Sequence, residues 1–162
     1  MTTALSHRRV RDHMSRHVVT IRPHETVHDA LDLMAADHVT ALPVVDKAGR
    51  CIGILSQSDF LDVTRELDEE LIGLDKQTFG SREWLIEKLR DTVGRQRVDE
   101  LMTESPAGVS PDDSLAAAAA AMLRHKVHRL PVVNEDGLLV GIISTMDMVR
   151  AVSQEATEPL DF

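Results

Sequence analysis

The sequence predicts an α+β protein made of two copies of one β-α-β-β-α unit. Three observations predict it. Two stretches share a frame: TALPVVDKAGRCIGILSQSDF at Thr40–Phe60 and HRLPVVNEDGLLVGIISTMDM at His128–Met148 each hold LPVV, a Gly, a G-I pair, a Ser and an Asp. The prolines of those frames, Pro43 and Pro131, are 88 residues apart. The same offset joins Val10 to Val98, Met14 to Met102, Pro23 to Pro111, Met34 to Met122, Gly49 to Gly137, Gly53 to Gly141, Ser56 to Ser144 and Asp59 to Asp147. A register held without a gap from Val10 to about Leu61 marks an internal duplication.

Each copy opens on a short β-rich stretch, Val18–Ile21 or Ala107–Val109, that ends at a proline two residues on. A helix follows, with Thr26 or Ser114 as its N-cap, because a hydroxyl there accepts from an otherwise unpaired backbone N–H. In the first copy Val27, Ala30, Leu31 and Met34 fall at helical spacing and form one apolar face. In the second, the run Ala116–Ala121 is a strong helix former and reads as a tightly packed helix. Two strands come next, Ala41–Val45 with Cys51–Leu55, and Arg129–Val133 with Leu138–Ile143. Their turns end at Gly49 and Gly137, which is a hairpin signature. A last helix begins near Ser58 or Met146. The organisation is a first repeat at residues 1–64, a helical segment at 65–97, a second repeat at 98–155 and a tail at 156–162.

The segment 65–97 has no counterpart in the other copy and is charged and mostly helical, with a break near Gly80. It reads as a solvated linker or, through Trp84, Leu85, Ile86 and Leu89, as a segment that packs on a partner or a second subunit.

Composition excludes several classes of function. A net charge of −9 argues against binding a nucleic-acid backbone or an anionic membrane surface. With three Phe, one Trp and no Tyr there is no stacking platform for single-stranded nucleic acid. No apolar stretch nears the roughly 20 residues of a membrane span, and no apolar signal core follows the basic N-terminus. Cys51, the one cysteine, lies in the apolar run CIGIL and reads as a buried strand thiol. The expected compartment is the cytoplasm.

The pattern h-P-V-V-D-x-x-G-x-h-x-G-h-h-S-x-x-D, present twice after a β-α segment, resembles the CBS-domain family in its paired form, the Bateman module. The resemblance covers nearly the whole chain outside the termini and the central segment. It implies two repeats packed sheet on sheet about a pseudo-twofold axis, with clefts between them that bind adenosine-containing ligands, most often AMP, ADP or ATP. It also implies the stand-alone bacterial type, with no attached enzyme or channel.

By the family pattern Asp59 and Asp147 accept the two ribose hydroxyls, for which one carboxylate has two oxygens. Such charge-assisted bonds contribute roughly 1.5–3 kcal/mol each. Ser56 and Ser144 offer a hydroxyl to ribose or phosphate at a helix N-terminus, which favours anions. The base would meet backbone and apolar groups near Val19 and Ala107. Ser-x-x-Asp is also the form of a helix capping box, so both readings stand at these positions.

The copies differ just before the LPVV strand. The second has Arg124-His125-Lys126-Val127-His128-Arg129, a cationic cluster in an acidic protein; the first has Ala36-Asp37-His38-Val39-Thr40-Ala41. In nucleotide-binding members of the family a basic residue at this point reaches the phosphates. His128 and Arg129 match it, whereas Thr40 and Ala41 do not. Arg124 to Lys126 are also explained as cations at a helix C-terminus.

The eight histidines lack the paired spacing of a metal site and read as surface residues. No nucleophile elbow, glycine-rich phosphate loop or convergent carboxylate cluster points to catalysis. The expected function is a non-enzymatic adenine-nucleotide sensor with no resident cofactor or metal, acting on an effector protein in trans. The competing expectation is a scaffold that keeps the fold and has lost its ligand, which Thr40-Ala41 favours for the first copy. A homodimer is expected, with Phe60, Leu61, Met148 and Val149 as its apolar contacts.

Overall fold

A computed structural model of the chain describes residues 4–60, 62, 87, 90–91, 93–104 and 106–155. Trp84, Leu85, Ile86, Leu89, Gly80, Leu61 and the tail from 156 lie outside the described residues. In chain order the elements are α1 (Ala4–His7), a 3-10 turn (Val10–Asp12), α2 (Val27–Ala36), β1 (Ala41–Val45) and β2 (Cys51–Ser56). Then come α3 (Val98–Leu101), β3 (Thr103–Glu104), α4 (Leu115–His125), β4 (Arg129–Val133), β5 (Leu139–Ser144) and α5 (Thr145–Glu155). Residues 57–60 are helical as well.

The chain forms two compact units. The first-repeat unit is Val19–Asp46 with Ile52–Ser105, and the second-repeat unit is Met1–Val18, Lys47–Cys51 and Pro106–Phe162.

In the first-repeat unit β1, β2 and β3 form a sheet in that order, with β3 antiparallel to β2 through Gly53–Glu104 and Ile54–Thr103. The predicted face of α2 is the observed one: Val27, Ala30, Leu31 and Met34 are all buried. They pack with Ile21, Leu42, Val44, Leu55, Phe60, Val93 and Val98. Thr26 caps α2: its hydroxyl accepts from the Asp29 N–H at 3.2 Å, and the Asp29 carboxylate accepts from the Thr26 N–H at 3.0 Å. The Thr26 hydroxyl, and then its backbone N–H, hold the Asp29 carboxyl below its ordinary pKa.

In the second-repeat unit β4 and β5 pair antiparallel from Arg129–Ser144 to Val133–Leu139, with a shift at Val132/Val133. The alanine run is helical as predicted; Leu115, Ala118 and Met122 of α4 are buried. The core adds Val10, Val109, Leu130, Val132, Ile143, Met148 and Ala151.

Eight residues of each core correspond at the 88-residue offset. Ile21, Val27, Ala30, Met34, Leu42, Val44, Leu55 and Phe60 match Val109, Leu115, Ala118, Met122, Leu130, Val132, Ile143 and Met148. Val10 and Val98 trade places: Val10, at the head of the first copy, is buried in the second-repeat core, and Val98 is buried in the first. Backbone bonds hold the exchange. Val10 N–H donates to Asp113 O at 2.9 Å, Leu115 N–H to Arg8 O at 3.0 Å, and Ser15 and Ile142 exchange bonds of 2.9 and 3.0 Å. On the other side Val98 N–H donates to Glu25 O at 2.8 Å and Val27 N–H to Gln96 O at 2.9 Å.

Three expectations need correction. The opening β-rich stretches are not strands; each contributes a single parallel bridge, Ile21 to Val44 and Val109 to Val132. Pro23 and Pro111, two residues on, have no N–H with which to extend the ladder. β5 starts at Leu139, because Leu138 bridges to Arg50 instead. Phe60 and Met148 are core residues, not surface contacts.

The turn glycines have the expected conformation, with φ of 84° at Gly49 and 77° at Gly137, a region costly for any residue with a Cβ. Gly141 has a different task. A Cβ there would stand 2.6 Å from Met14 Sδ and 3.0 Å from Ser15 O. At Gly53 the atoms nearest to a Cβ would be those of the Met102 side chain. Gly141→Ala is therefore expected to cost about 1–3 kcal/mol and more than Gly53→Ala. A thioether can turn aside, but Ser15 cannot move without breaking its pairing with Ile142. Urea midpoints of the two variants check this.

Candidate functional site

Within the second-repeat unit the hairpin and the N-terminus of α5 form one corner. Asp147, 7% exposed, is the buried charged residue among those described. Its Oδ2 accepts from the Ser144 N–H and from the Ser144 hydroxyl, each at 2.7 Å. The Ser144 Oγ stands 3.4 Å from the Asp147 N–H, which completes a capping box. Arg150 Nη1 donates to the other oxygen, Oδ1, at 3.1 Å. Three donors and a helix N-terminus hold the carboxylate, as a buried charge requires.

The predicted cations are placed here too. Arg129 is the cross-strand partner of Ser144, and the His128 carbonyl accepts from the Thr145 N–H at 3.0 Å. His128 is exposed and Arg129 half-buried. Among the described residues neither side chain makes a hydrogen bond or ion pair. Arg124 and His125 lie in the last turn of α4, and Lys126 is its left-handed cap. Ala107 packs against the core of the same unit.

The first-repeat unit repeats the geometry with other chemistry. Asp59 Oδ2 accepts from the Ser56 N–H at 2.6 Å and from its hydroxyl at 3.0 Å. Asp59 Oδ1 accepts from the Thr103 hydroxyl at 3.4 Å, where Asp147 has a guanidinium. The Thr40 carbonyl accepts from the Gln57 N–H at 3.1 Å, as His128 does from Thr145. Val19 packs against the first core.

Each predicted Ser–Asp pair is thus assembled beside its pre-strand residue. The sequence reading missed Arg150 and Thr103. Arg150 carried a signal, since an Asp and an Arg three apart on a helix face each other. Thr103 carried none, being brought in by β3 from beyond the central segment. In both corners the doubly bonded Oδ2 has its lone pairs filled, and Oδ1 keeps one acceptor direction.

The family described as CBS domain matches residues 10–66 and 98–154. The chain belongs to the CBS domain family. This CBS pair is 37% identical over 142 residues to the CBS domain-containing protein CBSX2, chloroplastic, of Arabidopsis thaliana, covering 83% of this chain and 58% of that protein. It therefore spans little more than half the length of that relative. The crystal structure of CBSX2 in complex with AMP superposes with a TM-score of 0.70 at 32% identity, covering 92% of this chain and 98% of that one. CBS pairs also occur inside larger proteins. The inosine-5'-monophosphate dehydrogenase of Bifidobacterium longum is 29% identical over 132 residues, which are 82% of this CBS pair and 20% of the enzyme. The α+β fold of the pair is that of these relatives. Among the described residues no helix is long and apolar enough to cross a membrane.

Proposed function

We propose that this CBS pair is a non-enzymatic regulatory module that binds an adenine nucleotide, AMP, ADP or ATP, and passes the bound state to an effector protein in trans. One observation carries the reading. A buried carboxylate at the N-terminus of α5, Asp147, lies next to the strand end that carries His128 and Arg129, whose side chains make no hydrogen bond or ion pair among the described residues. A carboxylate suits ribose hydroxyls, and cations at a helix N-terminus suit phosphate. Ser144 adds a hydroxyl that can serve either. The AMP complex of CBSX2 supports the choice of ligand. Ala107 and Val19 are the proposed apolar neighbours of the base in the two repeats, and Asp59, Ser56 and Thr40 form the second, weaker site.

A thermal-shift screen with AMP, ADP, ATP and adenosine tests the reading. A ligand at 100 times its dissociation constant adds about 2.7 kcal/mol to stability, a shift of several degrees for a chain of this size. No shift with any of the four refutes it and leaves a scaffold protein.

The proposed assembly is a homodimer. Its contact face is revised to Met146, Val149 and Val152, all exposed and spaced by three along α5. Light scattering at micromolar concentration is expected to give about twice the chain's 18.0 kDa.

A further inference from the structure

We infer that Arg150 sets the charge preference of the second-repeat site, making it selective for phosphorylated adenosine. The first-repeat site, where the neutral Thr103 hydroxyl meets the matching carboxylate oxygen, lacks that preference. This rests on the nucleotide reading above and deepens it.

The argument starts from Oδ1. The Arg150 guanidinium uses one N–H on Asp147 and is otherwise 69% exposed. It has five N–H groups, so donors remain for a second anion while the contact with Asp147 persists. Its charge offsets that of the carboxylate, and a phosphate dianion can approach the corner without facing an uncompensated buried anion. Arg129, paired with Ser144 across the hairpin, adds a second positive charge.

In the first repeat neither guanidinium has a counterpart at the matching position. Asp59 Oδ1 meets the neutral Thr103 hydroxyl, Ala41 stands where Arg129 does, and Asp62 stands 88 residues before Arg150. Asp62 follows Asp59 by three in sequence, as Arg150 follows Asp147. The first repeat thus has no guanidinium at either matching position, against two in the second. A carboxylate opposes phosphate unless a neighbouring positive charge offsets it, and ribose recognition does not need that offset.

Calorimetry with AMP and with adenosine, on the full chain and on Arg150→Gln, Arg150→Lys and Asp62→Arg, tests the assignment. Arg150→Gln is expected to weaken AMP about tenfold, the loss of one charge-assisted hydrogen bond, and to change adenosine by less than about twofold. Arg150→Lys should restore most of the AMP affinity, since it keeps the charge. Asp62→Arg should strengthen the weaker AMP event; it poses the same question from the other repeat should Arg150→Gln not fold. Equal weakening of AMP and adenosine in Arg150→Gln overturns the inference while the nucleotide reading stands, because Arg150 would then only brace the corner. An unsubstituted chain that binds neither ligand overturns both.

Discussion

Asp147→Ala is expected to abolish the tighter of two adenine-nucleotide binding events, while Asp59→Ala weakens only the looser one. The tighter event is assigned to the second repeat because the cations flank Asp147. Removing a carboxylate whose Oδ1 accepts a ribose hydroxyl forfeits roughly 1.5–3 kcal/mol, or more than a tenfold loss. The alanine variant also leaves the Ser144 N–H without its acceptor, at the cost of a helix cap, about 1 kcal/mol. Asp147→Asn separates the effects, since its amide oxygen still caps Ser144 but carries no charge. It should keep most of the thermal stability and still lose nucleotide. Calorimetry on the aspartate variants decides the order. A greater loss from Asp59→Ala reverses the assignment of the two sites.

Deleting residues 1–17 is expected to unfold the second-repeat unit and to spare the first. The deleted segment belongs to the first copy by sequence, but its Val10 is fully buried in the other core. Five backbone bonds go with it: Val10 to Asp113, Arg11 to Pro111, Leu115 to Arg8, and the pair joining Ser15 and Ile142. At roughly 1 kcal/mol net for each bond and about 2 for Val10, the loss is on the order of 5 kcal/mol or more. A small domain holds about 5–15 kcal/mol in total. Hydrogen exchange gives the readout. Amides of α4 and β5 should lose protection while those of α2 and β1 keep it, and the opposite pattern would contradict the exchange of segments.

The duplication made much of this structure legible in advance. Once the 88-residue offset was seen, reading one copy read the other, and apolar periodicity picked out the buried face of α2 without error. Periodicity tells which face of a segment is apolar but not which body covers it, so the exchange of Val10 and Val98 left no mark in the sequence. The phase of the last helices was misread for a related reason. Phe60-Leu61 and Met148-Val149 are adjacent apolar pairs, and only the attachment of each helix to its preceding strand decides which member turns inward. In α5 that attachment buries Met148 and Ala151 and leaves Met146, Val149 and Val152 outside. In the candidate site the Ser–Asp pairs were readable because they are local. Thr103 was not, because it reaches Asp59 from 44 residues away in the chain.

The traded valines also set a timetable for synthesis. A ribosome adding about 5–20 residues per second delivers Val98 and β3 in time for the first-repeat unit to close as soon as they emerge. Val10 has by then been outside the tunnel far longer, yet its hydrogen-bond acceptor, Asp113, is still to come. From the emergence of Val10 to that of Asp113 takes roughly 5–20 seconds, and the rest of that core, through Ala151, arrives later still. Val10 is thus among the last residues to find its place although it emerges early, and until then the basic segment around it is open to chaperones and proteases.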